Sequence, residues 1–361
     1  ETKSLNSNLT LGYEIGRGFS VNMNAGYSNY NSYEQKIFPK TTYNPASNIG
    51  SSNSSVRKGE KLNQNWIIEP QLNYTGKWDA HQFSALLGTS FQEQQSDNIV
   101  ILGRNFPSDE MLGNISAAAT ITIPSAYESK YRYQAIYARL NYGYQQRYFV
   151  NLTGRRDASS RFGINKRYAN FGAVGAAWLF SEEGILKNCS WLSFGKLRAS
   201  YGITGNDQIG DYQFYDTYQS TGGSYNGYTG LVPQRLFNKD FGWEGTRKFE
   251  VAVDLAFLNQ RLILDLGYYH NISSNQLVGI PMPATVGFGS MLANLDAIVR
   301  NRGLEFSLQS VNIRKGKFKW TSNLNFTLPE NKLLKFPNLA NSTYANKFEV
   351  GKSTTLGKLY Q

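Results

Sequence analysis

From Ile136 to Tyr144 apolar and polar side chains alternate with a period of two. Ile136, Ala138, Leu140, Tyr142 and Tyr144 fall on one side of an extended chain, Arg139 and Asn141 on the other. A turn at Gln145-Gln146-Arg147 leads into a second run, where Tyr148, Val150, Leu152 and Gly154 oppose Asn151, Thr153, Arg155 and Asp157. That period belongs to a strand whose two faces meet different surroundings, and so short a connection makes the pair an antiparallel hairpin. Two further strands follow. Asn170–Phe180 carries Val174, Ala176, Trp178 and Phe180 on one face, and in Lys196–Thr204 Leu197, Ala199, Tyr201 and Ile203 oppose Lys196, Arg198 and Ser200.

The pattern extends through the rest of the chain. Leu9–Ile15 and Val21–Tyr27 flank a turn at Gly16-Arg17-Gly18, and Trp66–Tyr74 and Phe83–Phe91 flank Gly76–Ala80. Later, Phe249–Leu255 and Leu262–Tyr268 flank Leu258–Gln260, and Leu304–Leu308 and Trp320–Phe326 flank Arg314–Lys317. Twelve strands are predicted, with long polar connections at 31–60, 94–129, 205–242 and 273–295 and a polar stretch at Ala158–Arg167. One short connection, Ser181–Trp191, is enlarged by a predicted helical turn at Glu182–Lys187. In an up-and-down meander every second connection lies at the same edge, so the short turns share one edge and the long loops the other. Strands of about ten residues, apolar outward and polar inward, with this asymmetry of connections, are the signature of a transmembrane β-barrel. Trp78, Tyr144, Tyr148, Phe180 and Trp191 gather near the short turns, as an interfacial aromatic girdle would. A soluble sandwich or propeller would place the same aromatics in its core, and the long connections argue against it.

Composition supports an all-β chain. Aromatic residues reach 14%, with 24 Tyr and 21 Phe, while hydrophobic residues total only 40%, which does not suit a helical enzyme with a large apolar core. A length of 361 residues fits one large barrel domain. The single Cys189 excludes an internal disulfide framework, and with only His81 and His270 no metal centre is expected. The net charge of +11 raises a nucleic-acid partner, but Lys and Arg are scattered without a basic run, so none is expected. The longest uncharged apolar stretch, Phe171–Phe180, falls well short of the roughly 20 residues of a membrane-spanning helix. No secretory leader is read, and both ends are expected to lie inside a longer protein.

Several segments carry a family resemblance. YARLNYGYQQRYFVNLTGRRDASSRFG (137–163), FGKLRASYGITGNDQIGDYQFY (194–215), NRGLEFSL (301–308), ENKLLKF (330–336) and FEVGKSTTLGKLY (348–360) resemble the barrel of SusC/RagA-type TonB-dependent transporters of Bacteroidetes. Order and spacing agree across nearly the whole chain, more loosely over the first 130 residues. The resemblance implies a 22-stranded barrel with a plugged lumen. Residues 1–361 would supply about twelve of its strands, with the plug domain, N-terminal strands and last C-terminal strands outside this chain. An open sheet edge is not tolerated in lipid, so this piece is not expected to close or transport alone. The resemblance also implies a Gram-negative outer membrane, with lipid around the wall. The activity it implies is TonB-dependent import of a large nutrient, a glycan or a peptide. Its partners would be a SusD-like surface lipoprotein that lids the barrel and the TonB–ExbB–ExbD complex acting through the plug. No enzymatic activity or cofactor is implied. A passive porin or a barrel-based surface adhesin is the alternative from another class.

Candidate residues fall into two groups. Tyr212, Phe214, Tyr215, Tyr218, Tyr225 and Tyr228, in the loop 205–242, suit sugar stacking or lipoprotein docking, because an aromatic body with a polar tip serves both. They equally suit packing that merely shapes the rim. Arg139, Arg155, Asp157, Arg161, Arg198 and Asn206 are candidates for lumen and rim; Arg155-Arg156-Asp157 with Arg161 suits either a loop-rim ligand site or, as expected here, a structural ion-pair network. Gly202, Gly205 and Asn206 at a strand exit, and Asn301-Arg302-Gly303, are expected to supply positive φ. Glu250, Asp254, Asp265 and Glu305 face the expected lumen, but nothing fixes two of them across one glycosidic bond. No catalytic constellation is present.

Overall fold

The computed structural model describes residues 1–357 apart from 227, 283, 284, 286 and 289, and of 221–225, 229 and 281 the backbone alone. The first eight strands are β1 (Thr2–Gly16), β2 (Phe19–Phe38), β3 (Ser55–Trp78), β4 (His81–Arg104), β5 (Thr120–Tyr144), β6 (Tyr148–Ser159), β7 (Tyr168–Trp178) and β8 (Leu192–Asn206). A separate hairpin follows, β9 (Thr217–Tyr225) with β10 (Tyr228–Arg235). After β11 (Glu244–Phe257) and β12 (Leu262–Ser274) comes a second one, β13 (Gln276–Pro281) with β14 (Ser290–Leu295). The chain returns as β15 (Ile298–Lys315) and β16 (Phe318–Lys335). The other twelve strands make one sheet in chain order, β1 through β8, then β11, β12, β15 and β16. This is the expected up-and-down meander of twelve strands.

Two compact units divide the chain: Glu1–Gly12, Asn22–Pro70 and Ser90–Gln134 form one, and Tyr13–Val21, Gln71–Thr89 and Ala135 onward the other. In the second unit the register converts alternation into continuous rows. One row runs Tyr148, Trp178, Leu197, Val253, Leu266, Phe306, Phe326 from β6 to β16. The next runs Val150, Ala176, Ala199, Val251, Tyr268, Leu304, Leu328. Side chains of these rows stay open to the surroundings, Leu304 at 56%. One register step further the row stays apolar through Leu152, Val174, Tyr201 and Phe249 and turns polar at His270, Arg302 and Glu330, on β12, β15 and β16. An apolar band that gives way to charge within a few residues of a strand matches a bilayer of limited thickness.

The first unit shows where the sequence pattern stopped short. The polar segments 31–60 and 94–129 are mostly strand: β2 continues to Phe38, β3 starts at Ser55, β4 runs to Arg104 and β5 begins at Thr120. Loops remain at 39–54 and 105–119, held by a core of Val56, Phe106 and Leu112. There the carboxylate of Asp109 accepts from Ser54 Oγ at 2.6 Å and from the Lys40 amide at 3.1 Å. A strand that leaves lipid keeps its ladder but loses its apolar face. Asn31-Ser32-Tyr33-Glu34-Gln35-Lys36 therefore carries no hydrophobic period.

Two smaller expectations also change. Gly202, Gly205, Asn206, Asn301 and Gly303 all lie inside strands, and none of them has positive φ. At Gly205 it is space that matters, because a Cβ there would come within 2.0 Å of the Phe171 ring. Positive φ is used instead at the turns, as at Gln145 (52°) and Gln146 (56°) between β5 and β6, the conformation that two-residue hairpin turns require. The helical turn in Ser181–Trp191 begins earlier than expected, as a 3-10 turn at Phe180–Glu182, and the Lys187 amide then donates to the Glu183 carbonyl at 2.8 Å.

Candidate functional site

The face opposite the apolar rows is the candidate functional surface. In the second unit its register places Asn151, Gly175, Ser200, Glu250 and Tyr269 side by side, and Lys196, Asp254, Asp265, Ser307 and Asn325 in another row. Arg198 joins the rows by an ion pair to Glu250 and a second to Asp254 at 3.4 Å, while Lys196 reaches Asp254 at 3.9 Å. These cations offset the like charges of Asp254 and Asp265, which are direct neighbours across β11 and β12. Phe149, Gln82, Ser84, Asn141, Asn151, Ser200, Arg198 and Glu250 line a cavity of about 700 Å3 on this face. Its polar groups are linked: Asn151 donates to Asn141, whose own amide donates to Ser84 Oγ at 3.0 Å.

The first unit has its own polar wall. On one face of β3 and β4, Ser90 donates to Glu69 at 2.7 Å, Gln92 to Asn65 at 3.1 Å and Ser96 to Asn63 at 2.6 Å. Asn98 continues the series to Ser125 on β5 at 3.1 Å. The alternate face carries Trp66, Ile68 and Phe91. Sequence reasoning missed these contacts because Ser96, Asn98 and Ser125 lie in a segment read as loop, and Asn63, Asn65 and Gln92 just beyond the ends of the strands read. The signal was present in the period-two spacing of Asn63, Asn65, Ile67 and Glu69.

At the long-loop ends of the second unit, three connections form a tight knot. Phe162, Phe214 and Phe241 are buried together, with Ile209, Trp243, Leu277 and Leu292 packed on them. Phe162 meets Trp243 at 4.8 Å and Phe241 at 6.1 Å between ring centres. Gly163 donates its amide to the Phe241 carbonyl at 2.9 Å, and a Cβ at Gly163 would stand 2.2 Å from the Lys239 carbonyl oxygen, so only glycine fits. Asn294 clamps Gly242 from both sides, accepting its amide at 2.8 Å and donating to its carbonyl at 2.7 Å. Phe162, Phe241, Trp243 and Asn294 were not singled out from the sequence, where a lone Phe in a polar loop has no periodic mark.

The predicted residues divide between these places. Arg161 donates to Asp211 at 2.8 Å and to the Asp207 carbonyl at 3.1 Å, tying two loops together. Arg155 pairs with the buried Asp157 at 2.8 Å and lies over the Tyr137 ring at 5.9 Å. Asn206 donates to Glu244 at 3.3 Å. Arg139 is exposed on β5, apart from the knot. Phe214 is buried in the knot, and Tyr215 packs on it at 4.1 Å with Tyr212 at 6.3 Å from Tyr215. Tyr218 and Tyr228 are exposed on the β9–β10 hairpin. Tyr225 stands opposite Tyr228 in register, and its side chain lies outside the described residues.

The short-turn edge of the second unit carries the aromatic rim that the sequence suggested. Trp78, His81, Tyr144, Tyr148, Trp178 and Phe180 follow one another at ring separations of 5.7, 5.0, 6.4, 6.5 and 5.8 Å. Trp191 stacks on Phe257 at 5.8 Å. Glu183, in the turn below, accepts from the Tyr148 hydroxyl at 2.6 Å and from Trp178 Nε1 at 3.1 Å, with Arg147 at 3.5 Å. Those hydrogen bonds, the one from Tyr148 first, hold its carboxyl below the usual carboxylate range.

Comparison with known proteins places these features. The family described as TonB dependent receptor-like, beta-barrel matches residues 1–357. The TonB-dependent receptor P39 of Formosa agariphila is 30% identical over 341 residues, covering 92% of this chain and 32% of that protein. The TonB-dependent receptor SusC of Bacteroides thetaiotaomicron is 29% identical over 236 residues, covering 61% of this chain and 22% of that protein. The solved structure of the RagAB peptide transporter superimposes with a TM-score of 0.87 at 23% identity, over 97% of this chain and 39% of the matched one, and so shares the fold. The chain thus spans about a third of the length of P39.

Proposed function

The chain belongs to the TonB-dependent receptor-like β-barrel family, and from that premise we propose that it forms wall strands of an energised importer. Barrels of the SusC/RagA type are outer-membrane proteins of Bacteroidetes. The observation that carries the import reading is the polar face of the sheet. Amides and hydroxyls spaced along it, from Asn63 to Ser96 in one unit and from Ser84 to Ser200 in the other, suit the hydroxyls of an oligosaccharide or the amides of a peptide. A solvated polar chain passing such a wall exchanges hydrogen bonds with water at little cost.

A SusD-like lipoprotein would dock at the long-loop ends, where Tyr218 and Tyr228 stand exposed on a hairpin and Tyr212 and Tyr215 flank the buried Phe214. The knot beneath gives such a partner a preformed platform, which lowers the ordering cost of association. The TonB–ExbB–ExbD complex would act through parts of the protein outside this chain.

Deleting residues 219–230 in the full-length protein should abolish growth on the cognate nutrient or lipoprotein co-purification. Heat-modifiable mobility of the barrel on gels should stay unchanged. Survival of both growth and complex formation would overturn the docking assignment. Uptake that persists in cells lacking TonB would favour the passive porin instead.

A further inference from the structure

A smaller cleft, of about 260 Å3, lies between β2, β3 and β4 of the first unit. Its lining includes Lys36, Arg57 and Lys61 together with Glu34, Glu60, Tyr30 and Asn98. Arg57 and Lys61 alternate in step with Asn63 and Asn65, the residues bonded to Ser96 and Gln92, so they belong to the polar face. Trp66 and Ile68, one step out of phase, mark the apolar face of the same strand.

The charges in the cleft are unevenly matched. Lys36 is held by Glu34 at 2.9 Å. Arg57 and Lys61 make no ion pair with any described residue. Arg57 and Lys61 are exposed at the cleft, with Glu34 and Glu60 in the same lining, and neither is tied up in an ion pair with a described residue, so both can donate charge-assisted hydrogen bonds to an incoming anion. Arg57 offers a planar fork that matches a carboxylate, and Lys61, four residues along the same strand and so roughly 13 Å away at the backbone, a point charge on the same face. Lys61, Asn63 and Asn65 follow each other on one face at roughly 7 Å per two residues. A ligand anchored by its anion could therefore continue along the amides.

We propose that this cleft is a subsite for a carboxylate group of the transported ligand, with Arg57 and Lys61 as its binding residues. The proposal rests on the import reading and deepens it.

The test uses the full-length protein and two matched pairs of probes. One pair is an oligogalacturonate and a malto-oligosaccharide of equal length; the other is a glutamate-containing peptide and its glutamine counterpart. Binding is measured for the wild type, for R57Q/K61Q and for K58Q, whose side chain alternates to the opposite face of β3. The wild type and K58Q should prefer the anionic member of at least one pair by about tenfold, and added salt should weaken that preference. R57Q/K61Q should lose it while binding the neutral member as before. A preference confined to one pair identifies the ligand as saccharide or peptide. A wild type without preference in either pair, or R57Q/K61Q that keeps it, overturns the subsite. TonB-independent uptake alongside an intact preference would remove the import reading and leave the subsite standing.

Discussion

Phe162 in the loop knot and Leu304 in the strand wall are both large and apolar, yet one is 0% exposed and the other 56%. The knot buries its aromatics in protein: three loops converge, and main-chain groups of Gly163, Phe241 and Gly242 are satisfied around them. The wall presents row after row of Leu, Val, Phe and Tyr to its surroundings, with polar side chains behind. In water the wall would be a fault and the knot a core. Both are matched if the strands cross lipid, which covers the wall, while the loops stand in water with the knot as their own core.

The contrast can be broken most severely at the knot. Phe162→Ala should destabilise the folded full-length protein by about 3–5 kcal/mol, since no water or lipid fills the space left behind. Urea titration of the protein in detergent and in bilayers should show the same loss in both. At the wall the effect should depend on the surroundings. Leu266→Arg should cost about 2–4 kcal/mol in a bilayer, and clearly less in a small flexible micelle. Asp265→Asn, one residue away, should stay within about 0.5 kcal/mol and lean towards stabilisation, because Asp254 stands opposite it.

The smallest effect is expected at the rim. Hydrogen bonds from Tyr148 and Trp178 lower the carboxyl of Glu183 in the folded state. A lowered folded value means that the contribution is present above the unfolded carboxyl range, about 4.3, and fades as pH falls through the folded value. Between pH 6 and pH 3 the wild type should therefore lose slightly more stability than Glu183→Gln, measured as urea midpoints, and salt should shrink the difference. Identical slopes would show the contact to be energetically silent.

How much could be read beforehand follows from the same contrast. Wherever lipid meets one face, as from Val251 to Leu255, alternation is strict and both strand and facing are legible. Where a strand continues into water, as from Asn31 to Lys36 or Arg57 to Glu60, both faces are polar, and no hydrophobic period marks the strand. Those residues read as loops from the sequence, and with them goes the cleft beside Arg57. The two loop hairpins carry no long alternating run, since Thr217–Tyr225 and Gln276–Pro281 pair locally within their own connections, and Leu277 and Leu292 reach the buried phenylalanines from strands of six residues. Arg161 was legible as a structural ion-pair former, whereas its partner Asp211 depends on how the loops meet.

The central claim is that one face of these strands meets lipid and the other water. Nitroxide labels placed singly at Val251, Ala252, Val253, Asp254 and Leu255 in the full-length protein, reconstituted in bilayers, test it through collision with oxygen and with a water-soluble nickel chelate. Positions 251, 253 and 255 should favour oxygen and positions 252 and 254 the chelate, in a period of two. Equal accessibility at all five positions, or the opposite phase, would contradict the account.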